Sequence, residues 1–151
     1  MSSSTVTVRP LRTSDREVWG AMWCRYLLFY QTEVPEAVYE THFARLTASS
    51  SGKFRGLVAE SAGEPAGIAH YLFHPHGWRL TDVCYLQDLW AEPAFRGQGV
   101  GRALIEAVYA AADREGAPHV YWLTREGNAT ARRLYDRIGR ETDSVKYERP
   151  S

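Results

Sequence analysis

Excess charge of either sign is absent from this chain, since lysine plus arginine and aspartate plus glutamate each total 18 in 151 residues. No global field draws it to a phosphate backbone or an anionic lipid surface, which excludes nucleic acid and membrane as expected partners. Cysteine is scarce. Cys24 and Cys84 fall into no CxxC or Cys/His zinc spacing, which excludes a disulfide scaffold and points to free, packed thiols in a reducing compartment. No window approaches the ~18 apolar residues that a membrane span needs. Met1 to Thr5 offer neither a basic nor an apolar targeting region. The expectation is a cytoplasmic protein. His74-Pro75-His76 sets two imidazoles close together with no third partner at a useful spacing, so no metal is expected.

With 44% hydrophobic and 24% charged residues, the composition is that of one ordinary globular domain, and residues 1–151 are read as such. Thr5 to Arg9 alternate and stop at Pro10, a short strand. Ser14 and Glu17 have capping-box spacing ahead of a helix rich in aromatics, and Pro35 with Glu36 opens a second helix ending near Thr47. Ala48 to Lys53 is a Ser/Gly loop. Strands are expected over 54–60, 66–73 and 81–91, the first two joined by a turn at Gly63-Glu64-Pro65. From Gly99 the period becomes 3.6, with Val100, Leu104, Val108 and Ala111 on one stripe and Gly116 at the end. His119 to Leu123 is β-rich, Asn128 caps a helix that stops at Gly139, and a last strand is placed at 144–148. The fold class is mixed α/β: a mostly antiparallel sheet flanked by helices, in the order β-α-α-β-β-β-α-β-α-β.

The richest signal is Arg96-Gly97-Gln98-Gly99-Val100-Gly101-Arg102, between a strand and a helix. Free backbone N–H groups at a helix start form an anion site, the glycines clear side chains from it, and Arg96 and Arg102 add charge. A pyrophosphate is the expected ligand. A Walker loop is excluded because Arg102 follows Gly101 where Lys and Ser or Thr are needed. A dinucleotide fingerprint is excluded because the loop follows about ninety residues of mixed structure and lacks a third glycine at the right step.

Arg96-x-x-Gly99-x-Gly101 resembles the R/Q-x-x-G-x-G/A loop of the GCN5-related N-acetyltransferases, the GNAT superfamily. Asn128-x-x-Ala131-x-x-Leu134-Tyr135 resembles their second signature. Residues 85–89 and 120–124 are similar to the branch that acetylates histone tails, polyamines and small amines. The resemblance implies an acyl-CoA N-acyltransferase fold splayed between the strands ending near Ala91 and Leu123, with acetyl-coenzyme A as cosubstrate. Leu89, Trp90 and Ala91 would pair with its pantetheine arm like an added strand. Arg96, Gly97, Gln98, Gly99, Val100, Gly101 and Arg102 would hold its pyrophosphate, and Asn128 and Arg132 would contact it from the second motif.

Moving an acetyl group from a thioester to a primary amine requires loss of the amine's proton, stabilisation of an oxyanion and a proton for the departing thiolate. An amine of pKa ~10.4 is charged at neutral pH, so a carboxylate must take its proton directly or through water. Asp88, in the strand that flanks the thioester, and Glu33, at the break between the first two helices, are the candidates. Asp88 also reads as a carboxylate bonded structurally at a strand bulge. By resemblance, Gln87 stands where diamine acetyltransferases carry a glutamate beside the amine, and Gln87 cannot accept a proton. By resemblance too, Tyr135 is the general acid. Of the aromatic set Trp19, Trp23, Tyr26, Phe29 and Tyr30, most belong to the core, while Phe29 and Tyr30 are expected to reach the substrate. The acceptor is a small amine, polyamine, amino acid or protein lysine. A homodimer joined at the exposed sheet edge is expected, since small acetyltransferases of this branch commonly associate. The alternative is a non-catalytic coenzyme A binding module that acts through a protein partner.

Overall fold

The computed structural model describes residues 5–49 and 52–151. Its elements are β1 (Val6–Pro10), α1 (Arg16–Phe29), α2 (Glu36–Thr47), β2 (Phe54–Ser61), β3 (Glu64–His74), β4 (Val83–Ala91), α3 (Val100–Arg114), β5 (Val120–Tyr121) and α4 (Ala129–Ile138). The sheet order is β1-β2-β3-β4-β5. Its first four strands are antiparallel, and β5 joins β4 in parallel after α3 crosses over. This is the mixed α/β arrangement expected from the hydrophobic periods.

The sheet is covered on both faces. On one, the stripe Val100, Leu104, Val108 and Ala111 of α3 is buried against Leu57, Ala69, Tyr71 and Leu86, with Leu134, Tyr135 and Ile138 of α4 packed alongside. On the other, Trp19, Met22, Trp23 and Leu27 of α1 meet Phe43 and Leu46 of α2 over Val58 and Ile68. Gly67 brings the start of α3 onto the sheet. A Cβ there would lie 2.5 Å from the Trp90 carbonyl oxygen and 2.8 Å from Val100 Cγ1, so a side chain would lift away the helix end that follows the glycine loop.

Four sequence expectations are corrected. The strand expected over 144–148 does not form: that segment has no ladder partner, and Val145 and Tyr147 point to solvent. Ser14 does not cap α1, because it lies in a 3-10 turn, Thr13–Asp15. Asp15 stands at the N-cap position of α1 without a side-chain cap bond; its carboxylate instead accepts the Arg12 N–H at 2.7 Å across the 3-10 turn and pairs with Arg9 at 2.8 Å. Cys24 is exposed on α1, and only Cys84 is a packed thiol. Burial pushes the Cys84 thiol up to about 12, against a smaller opposing effect of Arg55. Finally, the β2–β3 turn is Ala62-Gly63, one step earlier than expected, with φ of 52° and 81°. No helix among the described residues is long and apolar enough to cross a membrane.

Two consecutive positive φ angles are what a tight hairpin requires, and alanine tolerates the first badly. Ala62→Asn is expected to raise stability by about 0.5–1 kcal/mol, seen as a higher urea midpoint at unchanged slope. An unchanged or lower midpoint would count against this reading of the turn.

Candidate active site

The glycine loop is built as its composition suggests. Gly97 and Gly99 have φ of 79° and 78°, and Gly99 is the left-handed residue from which α3 starts. Side-chain-bearing residues pay for that conformation, so the sequence spends glycine here. Arg96 and Gln98 donate their N–H groups to Pro93 and Phe95, which tightens the loop. Ser61 holds it to β2 through a 2.8 Å bond to Gln98 Oε1, so Gln98 supports the loop with both its amide and its side chain. The N–H groups of Gly97, Gly99, Val100, Gly101 and Arg102 find no acceptor among the described residues. Unpaired amides converging on a helix start, with Arg96 and Arg102 exposed beside them, make a site that fits a pyrophosphate.

Next to this loop the sheet parts. β4 and β5 pair only at Cys84–Val120 and Tyr85–Tyr121, after which β4 runs on to Ala91 with that edge unpaired. Leu89, Trp90 and Ala91 lie on this stretch, bound to Ala69, Ile68 and Gly67 on the β3 side alone. The register slips where His70 faces Asp88 and Tyr71 faces Leu86, leaving Gln87 as an extra, exposed residue. That bulge turns Asp88 inward.

Asp88 sits in a buried polar cluster that sequence spacing does not disclose. Tyr26 Oη donates to its Oδ1 at 2.9 Å, and His70 Nδ1 lies 2.7 Å from its Oδ2. Trp19 Nε1 donates to His70 Nε2 at 2.8 Å, which leaves the imidazole proton on Nδ1, aimed at Asp88. His42 Nε2 stands 3.1 Å from His70 Nδ1 and 3.6 Å from Asp88 Oδ2. Burial by itself raises the Asp88 carboxyl, but hydrogen bonding to His42, His70 and Tyr26 outweighs it and holds the group well below the usual carboxylate range. Burial keeps His70 neutral against the pull of Asp88. The ligand-type atoms of His42, His70 and Asp88 all lie within 4.8 Å of one another. A metal on His70 Nδ1 would nonetheless force its Nε2, which accepts from Trp19, to carry the proton or the ring to be an anion, so this donor set does not suit one.

Across the opening, Tyr135 of α4 packs edge-on against Trp122 at 5.5 Å. Burial, with a smaller contribution from Tyr30, pushes its phenol up to about 12, so it is protonated at neutral pH, and no protein group among the described residues hydrogen-bonds its hydroxyl. Asn128 caps α4 by accepting the Ala131 N–H at 3.4 Å. Burial raises the Tyr30 phenol, partly offset by Arg125 and by hydrogen bonding to Asn128. Tyr30 therefore bridges the end of α1 and the start of α4. Phe29 is half-exposed and rests on Trp90 at 5.9 Å. Arg132 is tied to the Glu126 carbonyl at 2.6 Å and to Glu141. Glu33 is exposed in the α1–α2 loop, with no ion pair or side-chain hydrogen bond among the described residues. Sequence reasoning missed Arg125, His42 and His70; the two histidines are far apart in the chain and meet only when α2 packs on β3, while the β3–β4 register sets His70 opposite Asp88.

Comparison with known proteins decides what this site belongs to. The sequence profile of the Acetyltransferase (GNAT) family matches residues 17–139. The chain belongs to that family. D-amino-acid N-acetyltransferase of Saccharomyces cerevisiae is 37% identical over 150 residues, spanning 99% of this acetyltransferase and 93% of the relative. Thialysine N-epsilon-acetyltransferase of Bos taurus is 32% identical over 91 residues, spanning 55% and 53% of the two chains. Among solved structures, aminoglycoside acetyltransferase AAC(6')-Iy, in complex with a bisubstrate analogue, superposes with a TM-score of 0.83 at 18% identity over 98% of this chain and 99% of that one. The protein is an N-acetyltransferase with the family's fold.

The Asp88 cluster has a thermodynamic signature. A carboxyl depressed in the folded state contributes stability that is complete above its unfolded pKa of ~3.9 and is lost as pH falls through the folded value. Asp88→Asn is therefore expected to cost about 2–4 kcal/mol at pH 7 and about the same at pH 5. The gap from wild type should narrow below about pH 4, where the native carboxylate begins to lose its advantage. Urea unfolding at the three pH values checks this, and a gap that does not change with pH would contradict an ionised Asp88.

Proposed function

We propose that this acetyltransferase moves the acetyl group of acetyl-coenzyme A onto the primary amine of a small acceptor, an amino acid foremost, as a single cytoplasmic domain. The observation that carries the reading is the run of unpaired amides from Gly97 to Arg102 set beside the unpaired edge of β4. The amino-acid preference is supported by the relatives above, two of which are named for amino acids. Bound acetyl-coenzyme A supplies an activated acetyl group as a thioester.

The chain's own residues do the rest. The amides of Gly97, Gly99, Val100, Gly101 and Arg102, with the charges of Arg96 and Arg102, hold the pyrophosphate. The free edge at Leu89, Trp90 and Ala91 would align the arm, and a backbone N–H there would supply a donor for the oxyanion. Asn128 orders the opposite wall, with Arg132 fixing the loop before it. Tyr135, protonated and with its hydroxyl free, gives a proton to the leaving sulfur. Of the two candidate carboxylates, Asp88 is held by Tyr26 and His70 and serves as a fixed anion, whereas Glu33, three residues after Tyr30, is free to take the amine's proton through water. Phe29, Tyr30 and Gln87 line the acceptor side.

Tyr135→Phe is expected to lower the rate of thiol release by about 10²–10⁴-fold while leaving coenzyme A affinity within a few-fold. Stopped turnover measured beside calorimetric cofactor binding tests this. A variant of unchanged rate would remove Tyr135 from the chemistry.

Association as a homodimer belongs to the same reading. Trp78 and Leu80 beyond β3, and Tyr147 in the carboxy-terminal segment, are almost fully exposed, and Val145 beside Tyr147 is largely so. Large apolar side chains left this bare suit a second copy. Sedimentation is expected to give a dimer at micromolar concentration that Trp78→Ser with Leu80→Ser weakens; a monomer throughout would refute it.

A further inference from the structure

We propose that Arg125 determines acceptor specificity by receiving the carboxylate of a free amino acid, whose amine then points toward Tyr26 and Asp88. The assignment rests on the N-acetyltransferase reading and adds to it the residue that selects the substrate class.

Arg125 lies in the loop between β5 and α4, on the far side of the opening from α1. Its guanidinium carbon is 4.9 Å from the centre of the Tyr30 ring, and Nη2 donates to the Tyr30 carbonyl at 3.3 Å. Stacking on an aromatic face holds the planar fork in one orientation while leaving its edge open. No carboxylate among the described residues pairs with it. The neighbouring arginines differ in this respect, since Arg25 is bound to Glu92 and Arg132 to Glu141. A cation positioned by a ring and left without a counter-ion at the mouth of an active site is suited to an anionic group on the ligand.

The opposite end of the mouth carries the opposite charge. Tyr30 and Tyr26 stand 5.0 Å apart, ring to ring, and Tyr26 Oη rests on Asp88. Along this line the chain presents a guanidinium, two phenol rings and a buried carboxylate. An α-amino acid presents an anion and, one carbon on, a cation, so with its carboxylate on Arg125 its ammonium faces the rings of Tyr30 and Tyr26, on the side of Asp88 but short of it. A polyamine would bring a second ammonium against Arg125, and a lysine within a protein has no free carboxylate to offer. Phe29 and Trp90, 5.9 Å apart, border the same space with apolar surface for the amino-acid side chain.

The test compares phenylalanine, as separate enantiomers, with phenethylamine, which lacks only the carboxylate. Thiol release is followed for wild type, Arg125→Ala and Arg125→Lys, with thermal unfolding and coenzyme A binding as controls. Wild type is expected to prefer at least one enantiomer of the amino acid over the amine. Arg125→Ala should lower kcat/KM for that amino acid about 10–100-fold, through weaker binding and a smaller neutral-amine fraction, with phenethylamine turnover equal or higher. Arg125→Lys should recover part of the loss, since a point charge replaces the fork. Equal losses on both substrates, or no wild-type preference for the carboxylate, would overturn the assignment while leaving acetyl transfer intact. Failure of wild type to acetylate any amine would overturn the functional reading and this assignment with it.

Discussion

The site depends on β4 and β5 pairing for two residues and then separating. Were the ladder to continue, the edge carrying Leu89 to Ala91 would be satisfied by protein, and no cleft would lie beside the glycine loop. Packing explains the separation. Immediately after β5, Trp122 turns its ring against Tyr135 and Tyr109. Gly139 lets that ring lie on the end of α4, since a Cβ there would come within 2.7 Å of it. The chain is thus drawn toward α4 instead of along β4. Unpaired strand edges are usually covered or blunted, so one kept open within the sheet marks a place for a ligand backbone.

Much of this was legible in the sequence, for identifiable reasons. The α3 stripe is long and strictly periodic, and all four of its named residues are buried. The glycine loop was legible because only a few chemistries need so many small residues ahead of a helix, and spacing separates them. The illegible parts are those that depend on register. Asp88 could be placed on a strand but not in a cluster, because its partners come from α1, α2 and β3 and meet it only after a one-residue slip at Gln87. The strand placed at 144–148 failed for the opposite reason: its alternation is real, but a strand exists only with a partner, and pattern carries no information about whether one is there.

The polar cluster also separates two roles that a carboxylate at this position could play. A general base needs an available lone pair and a pKa near the working pH. Asp88 has its oxygens committed to Tyr26 and His70 and lies far below that range. What such a group does well is to remain charged and fixed. Each neighbour then has a defined orientation, from the Trp19 N–H that sets the His70 tautomer to the Tyr26 hydroxyl that closes the chain.

A site with no strongly basic group raises the question of how the acceptor loses its proton, and the charge order along the mouth bears on it. A side-chain amine with pKa ~10.4 is almost entirely protonated at neutral pH, whereas an α-amine free of a neighbouring carboxylate charge titrates at ~7.7–8.0. In a free amino acid the adjacent carboxylate stabilises the ammonium and keeps its pKa above that range. Pairing that carboxylate with Arg125 cancels the stabilisation, so the amine's pKa falls toward the lower value. At that limit the neutral fraction would gain on the order of a hundredfold over a lysine-like amine, and a water held by an exposed carboxylate such as Glu33 would complete the proton's removal. Under this assignment the residue that selects the substrate also prepares its nucleophile, and the lack of a built-in base at Gln87 becomes a consequence of the acceptor's chemistry.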